Sequence, residues 1–231
     1  MEISYDDTGL PQRITYPNEH SLTYHYNSRR QRVSLTDDSG LNISYHYDER
    51  YRLSKVCLGE SADTLAEFEY NSKGQLLQKS LSNGAYTTYS YVSGTQRLSH
   101  LKNYLPNGTL QSMFEYTYDS KQRVTKVTTI EGDWRYSYDA GGQLVGWTNP
   151  SGVSTEYRYD RRGNRIIERV EQMEASYSVN AINQYMTYNN TSSFKFDKNG
   201  NLIEKVTNGR SEQFSFDPEG KLIAVETSLM R

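Results

Sequence analysis

One short phrase, aromatic-x-aromatic followed by a small turn, recurs along the whole chain at a nearly fixed interval. It reads Tyr45-His46-Tyr47-Asp48, Phe68-Glu69-Tyr70-Asn71, Tyr116-Thr117-Tyr118-Asp119, Tyr136-Ser137-Tyr138-Asp139, Tyr157-Arg158-Tyr159-Asp160, Phe194-Lys195-Phe196-Asp197 and Phe214-Ser215-Phe216-Asp217. Degenerate copies stand at Tyr5-Asp6, Tyr24-His25-Tyr26-Asn27, Tyr89-Ser90-Tyr91 and Tyr177-Ser178-Val179-Asn180. The anchors fall at 5, 26, 47, 70, 91, 118, 138, 159, 179, 196 and 216. Most steps are 20 to 23 residues; those from 91 to 118 (27) and from 179 to 196 (17) are the exceptions. A period of this size is the mark of a repeat architecture, in which each unit buries its apolar surface only by stacking on its neighbours. No break is long enough to be a linker, so residues 1–231 read as one array of about eleven units. Such an array works as a surface or a container more readily than as a conventional active site.

Each unit reads as two strands and two turns. In Tyr136 to Thr155, Arg135, Tyr136, Ser137 and Tyr138 alternate polar and aromatic, the period of a half-exposed strand. Asp139-Ala140-Gly141-Gly142 follows as a turn, in which Asp accepts backbone N–H groups and Gly supplies positive φ. The same D-x-x-G turn recurs at Asp6–Gly9, Asn71–Gly74, Asp160–Gly163, Asp197–Gly200 and Asp217–Gly220. A strand resumes at Gln143-Leu144-Val145, and a second turn comes at Asn149-Pro150-Ser151-Gly152. Elsewhere that second turn carries Asn83-Gly84, Asn107-Gly108 and Asn208-Gly209, pairs suited to the two positive-φ positions of a type I′ hairpin. Ile167 to Glu174, the sole stretch with a trace of helical pattern, reads better as two strands. The expected fold is therefore all-β: antiparallel hairpins side by side in a curved or spiralling sheet. Tyrosine suits a sheet with two wet faces, since its ring packs while its hydroxyl reaches solvent or backbone.

Composition narrows the function classes. Lys plus Arg total 26 and Asp plus Glu total 28, a net charge of −2, so there is no electrostatic case for a nucleic-acid partner. Mean hydropathy is −0.85, yet the abundant aromatics argue against disorder. Cys57 is the sole cysteine, which excludes an internal disulfide. The N-terminus, Met1-Glu2-Ile3-Ser4-Tyr5, enters the first repeat without a signal-peptide pattern, and no apolar run has the length of a membrane span. The chain is expected to be an excerpt of a larger protein.

The phrase Tyr136-Ser137-Tyr138-Asp139-Ala140-Gly141-Gly142-Gln143-Leu144 resembles the YD repeat of the RHS family. Tyr159-Asp160-Arg161-Arg162-Gly163-Asn164-Arg165, Tyr177 through Tyr185 and Phe196-Asp197-Lys198-Asn199-Gly200-Asn201-Leu202 resemble its Y-D-x-x-G-N-R, Y-x-x-N-x-x-N-Q-Y and Y-D-x-N-G-N-L units, in the order usual in bacterial members. The resemblance covers essentially the whole chain. It implies a spiral β-sheet that closes into a hollow shell. In bacterial RHS and Tc-toxin proteins such a shell encloses a variable C-terminal toxin, which a self-cleaving core motif releases; teneurins carry a similar shell at the cell surface. The family's D-P-x-G-x-x-G-G core is missing: Asp217-Pro218-Glu219-Gly220 begins like it, but Lys221-Leu222-Ile223-Ala224 follows, and Asp217 sits in the repeat register as a turn residue. The repeat count implies a partial shell.

No residue is put forward as catalytic, cofactor-binding or metal-binding, and no cofactor is expected. His20, His25, His46 and His100 lie in different units; His25 and His46, each between paired tyrosines, are placed to neighbour one another across adjacent repeats, as surface-strand histidines. Asp6-Asp7 and Asp37-Asp38 read as turn residues, and Gly141-Gly142 lacks the following helix of a phosphate site. Asn42, Asn107, Asn189 and Asn190 open N-glycosylation patterns no more frequent than chance gives. The functional expectation is a non-catalytic segment of a shell wall, secreted or cell-surface associated, whose partners are the rest of its own shell and an enclosed toxin-like polypeptide. The alternative is an extracellular module recognising carbohydrate or a cell-surface protein, although regular spacing favours tyrosines that stack on each other. Open sheet edges invite pairing, so the segment alone is expected to self-associate or be poorly soluble.

Overall fold

The computed structural model of the protein describes residues 1–59 and 63–229. Among them every regular element is a strand, and no helix occurs. Packing divides the chain into two units, Met1–Thr117 with Thr128–Ile130, and Tyr118–Val127 with Glu131–Arg231. The first unit holds β1 (Glu2–Tyr5), β2 (Pro11–Thr15), β3 (Ser21–Tyr26), β4 (Arg32–Asp37), β5 (Asn42–Tyr47), β6 (Leu53–Leu58), β7 (Asp63–Tyr70), β8 (Leu76–Leu81), β9 (Tyr86–Tyr91), β10 (Leu98–Tyr104) and most of β11 (Leu110–Tyr118). After β12 (Val124–Thr129), the second unit continues through β13 (Gly132–Tyr138), β14 (Leu144–Thr148), β15 (Ser154–Tyr159), β16 (Arg165–Val170), β17 (Met173–Val179), β18 (Tyr185–Tyr188), β19 (Ser192–Phe196), β20 (Leu202–Thr207), β21 (Arg210–Phe216) and β22 (Leu222–Leu229). Each described pairing is antiparallel and joins strands consecutive in sequence, so each unit is a meander of hairpins. The stretch 167–174 is the end of β16, a turn and the start of β17, as the pattern indicated.

Little of this sheet is deeply buried. Among the described residues, the buried hydrophobic ones are Tyr24 and Cys57, at 8% and 1% exposure. A sheet packed face to face on another would bury alternate residues of every strand. Here several strands, β12 and β16 among them, are half-buried on both faces, and the contrast between faces is local: in β5 Tyr45 and Tyr47 are half-buried and His46 is exposed, while Ser44 on the His46 face is buried. Stability must therefore come from neighbour-to-neighbour contacts along the sheet.

The turns fold as the sequence dictates, with one correction. In the first, Asp6 N–H donates to Leu10 O (2.8 Å), Gly9 N–H donates to Asp6 O (2.9 Å), and Gly9 has φ 79°. This is a three-residue loop ending in a left-handed residue. The second turns at 81–85 and 105–109 repeat the same pattern, with Gly84 and Gly108 left-handed. Asn83 and Asn107 are not left-handed; their side chains accept the N–H of Ala85 and Thr109 (both 3.0 Å). The type I′ expectation for these two Asn-Gly pairs is thus corrected: Asn here acts through its amide, not its φ. Asn208-Gly209 does have two positive-φ residues, at 49° and 79°.

Candidate functional site

The feature that repeats, and so the one a function would use, is the fastening between hairpins. At each described anchor the register slips by one residue. Tyr5 pairs Pro11 while Ser4 pairs Arg13; Tyr47 pairs Leu53 while His46 pairs Lys55; Phe216 pairs Leu222 while Ser215 pairs Ala224. The second aromatic therefore faces a β-bulge, which bends the strand carrying it and interrupts its ladder. As a consequence the next junction is short: β2 and β3 pair over Arg13–Thr15, and β4 and β5 over Ser34–Thr36, leaving the bulged residue's carbonyl beyond the ladder.

The tyrosine hydroxyl of the next repeat closes that gap. Tyr26 donates to Pro11 O (2.9 Å), Tyr47 to Arg32 O (2.8 Å), Tyr70 to Leu53 O (2.8 Å) and Tyr91 to Leu76 O (2.9 Å) in the first unit. Tyr138 donates to Val124 O (2.8 Å) and Tyr159 to Leu144 O (2.7 Å) in the second. The acceptor is in each case the residue that ends the previous D-x-x-G-x-L phrase. Burial pushes the Tyr47, Tyr70 and Tyr91 phenols up, which holds them in the donating form.

The turns add a second fastening. Asp48 Oδ1 accepts the N–H of Arg50 and Arg52 (both 2.9 Å), and its Oδ2 takes Arg52 Nε (2.7 Å). Arg52 Nη1 then donates to Asn71 O (3.0 Å) of the following turn, and its guanidinium lies 4.5 Å from the Tyr70 ring centroid. Arg123 repeats every contact, on Asp119, on Asp139 O and over Tyr138. Gln31 reaches Tyr51 O (2.7 Å) and Gln75 reaches Thr95 O (2.7 Å) from the same position. The carboxylates of Asp6, Asp48, Asp160 and Asp197 are held below their usual range. In Asp48 the Arg52 side chain is the main cause, in Asp6 the Leu10 N–H, and in Asp160 and Asp197 the amides of Asn164 and Asn201.

Several sequence expectations meet this geometry. Not every tyrosine stacks on another: guanidinium groups cover Tyr24, Tyr51, Tyr70, Tyr138 and Tyr157. Ring-on-ring contacts occur at Tyr86–Tyr104 (4.6 Å), Trp134–Trp147 (5.6 Å) and Tyr177 with Tyr185 and Tyr188. Successive anchors lie two strands apart. For the same reason His25 and His46 are not neighbours, since β4 runs between β3 and β5. His20 Nδ1 lies 2.8 Å from Asp38 Oδ2, and His100 Nε2 lies 3.7 Å from Glu115. Asp38 is more than a turn residue, for it also accepts Ser21 N–H (3.1 Å), which sequence spacing did not reveal. Asp217 accepts the N–H of Glu219 (2.9 Å) and Lys221 (2.8 Å), the turn role read from its register. Among the described residues no group of three or more His, Cys, Asp or Glu is placed to hold a metal ion, and no helix is long and apolar enough to cross a membrane.

A family model described as Teneurin YD-shell matches residues 82–229, more than half of the chain, and one described as RHS Repeat matches residues 5–41. The chain belongs to the YD-shell family. YD-shell relatives include double-stranded DNA deaminase toxin A of Burkholderia cenocepacia, 23% identical over 81% of this chain and 16% of the toxin. Toxin subunit YenC1 of Yersinia entomophaga is 26% identical over 63% of this chain and 15% of its own length. Human teneurin-1 is 25% identical over 81% of this chain and 8% of its own. The YD-shell segment thus spans from 8% to 16% of these relatives. Among solved structures, TcdB2-TccC3 without its hypervariable C-terminal region superposes with a TM-score of 0.72 at 16% identity, over 99% of this chain and 15% of that one. The Photorhabdus luminescens Tc holotoxin pore gives 0.66 at 17% identity, over 89% of this chain and 13% of that one. The fold is that of the Tc shell proteins.

Proposed function

We propose that this YD-shell array of about eleven units, 1–231, is a stretch of wall in a larger β-shell that encloses or presents an associated toxin-like polypeptide, outside the cell that makes it. The supporting observation is the fastening: the same hydroxyl-to-carbonyl bond closes the gap behind the bulge at six anchors, so hydrogen bonding continues from hairpin to hairpin where the ladder stops. Such a wall acts by exclusion. It isolates a chain from water, proteases and partners without needing a reactive side chain. Limited proteolysis of the natural full-length protein tests this. An enclosed polypeptide resists digestion until denaturant opens the wall; digestion at equal rates before and after counts against enclosure.

A second reading, recognition of a carbohydrate or a cell-surface protein, draws on one place. A cavity of ≈ 360 Å³ beside Trp134 is lined also by Glu131, Asn149, Pro150 and Ser151, an indole with hydroxyl, amide and carboxylate groups around it. Rings of this kind stack on sugar faces. A glycan array read with wild type and Trp134→Ala decides it: signal lost in the variant supports the reading, and signal at background in both removes it.

A further inference from the structure

We infer that β19–β22 part from the second unit as one block, opening at the boundary between β18 and β19. That boundary is the thinnest described junction. Thr187 with Ser193 and Tyr188 with Ser192 are its paired residues, whereas the corresponding junctions β2–β3, β4–β5, β8–β9 and β14–β15 each have three. Its turn is closed by Asn189 and Asn190 at φ 50° and 54°, two left-handed positions both occupied by residues with a Cβ. The gap behind the bulge, which tyrosine closes at six anchors, has no tyrosine to close it here; the same holds at β20–β21, where Phe216 stands in that place, but four residue pairs join those strands. The residue that holds the place of those tyrosines in the register is Phe196, which has no hydroxyl to donate. Among the described residues no side-chain hydrogen bond joins the turn at 180–184 to the turn at 197–201, although Arg162 and Asn164 do join the preceding turn to Ala181 O (3.0 Å) and Asn183 (3.0 Å).

Both sides of the boundary are well held. On the near side, Tyr177 packs on Tyr185 and Tyr188, Ser178 and Thr187 hydroxyls lie 2.6 Å apart, and Arg165 N–H donates to the Tyr185 hydroxyl (3.0 Å). Beyond it, β19 pairs β20 from Ser192 to Phe196, β20 pairs β21 from Glu204 to Thr207, and β21 pairs β22 from Arg210 to Phe216. Lys195–Glu204, Lys205–Glu212 and Ser192–Thr207 tie those strands across. A cooperative block bounded by a thin junction opens sub-globally, below the cost of unfolding the whole. The inference does not rest on enclosure; it says where a wall of this build gives way first.

Amide hydrogen exchange on the protein tests it. The ladder amides of β19–β21 should exchange together, about tenfold faster than those of β15–β17. Phe196→Tyr puts a hydroxyl in that register place, at the boundary, and should slow exchange of the whole block about fivefold. Protection that declines strand by strand inward from β22 would mean plain fraying and would overturn the inference. So would protection of the block equal to that of β15–β17, or a Phe196→Tyr variant with unchanged exchange.

Discussion

The repeats anchored at Tyr26, Tyr47, Tyr70 and Tyr91 and those anchored at Val179, Phe196 and Phe216 share one backbone plan and differ in whether the anchor carries a hydroxyl. In both, the anchor faces a bulge: Tyr47 opposite Leu53, Phe196 opposite Leu202. In both, an Asp or Asn after the anchor accepts two backbone N–H groups, as Asp48 does from Arg50 and Arg52, Asn71 from Lys73 and Gln75, and Asp197 from Asn199 and Asn201. Only the former group has a phenol hydroxyl to place on the carbonyl behind the previous bulge. The bulge and the turn therefore set the shape of a hairpin, while the hydroxyl joins one hairpin to the next. β22 shows the other extreme, with all eight of its residues exposed.

The largest effect should come from making the first group resemble the second. Tyr26→Phe, Tyr47→Phe and Tyr70→Phe combined remove three fastenings and should cost about 3 kcal/mol in chemical denaturation, at about 1 kcal/mol each. Strand content should be unchanged in circular dichroism. Next comes the turn clamp. Arg52→Ala removes two charge-assisted hydrogen bonds and the cover of the Tyr70 ring, and should cost about 2 kcal/mol. Asn201→Ala, at the same place in the second group, loses one neutral amide's bond to Asp197 and should cost about 1 kcal/mol.

A smaller contrast appears with pH. Burial raises the Tyr47, Tyr70 and Tyr91 phenols, so the folded state favours their protonated form. Their contribution is complete below the unfolded value of about 10 and is lost as pH rises through the folded value. Alkaline exchange measurements should therefore loosen β3–β9 above about pH 10 and leave β19–β21, fastened without such phenols, less affected. One turn acid in each group runs the other way. Asp48 and Asp197 are depressed, so their contribution stands above the unfolded value of about 4 and disappears as pH falls through the folded one. Acid should weaken both groups alike. The last expected change is a gain. Gln122 occupies the glycine place of its turn at φ 70°, and Gln122→Gly should stabilise by about 1 kcal/mol.

The strand-turn plan and the family were legible because alternation and D-x-x-G spacing are local signals. The bulge was not, because Leu53 and Ser54 look like any two strand residues. Without the bulge there was no reason to expect an orphan carbonyl, and Tyr47 and Phe196 counted as the same letter. Asn83-Gly84 misled because the dipeptide serves two kinds of hairpin, and loop length, not the pair itself, chooses between them. Arg52 and Arg123 carried a signal that could have been read: an arginine five places after the second aromatic, able to reach both its own acid and the next turn.

The hydroxyl's role is tested most directly by comparing Tyr47→Phe with Tyr45→Phe in equilibrium denaturation. The two rings share one strand and one face and are both half-buried, but the Tyr47 hydroxyl is the one that meets a carbonyl, Arg32 O at 2.8 Å. A loss of about 1 kcal/mol for Tyr47→Phe with little change for Tyr45→Phe is the expected result. Equal losses, or none in either, would contradict the account.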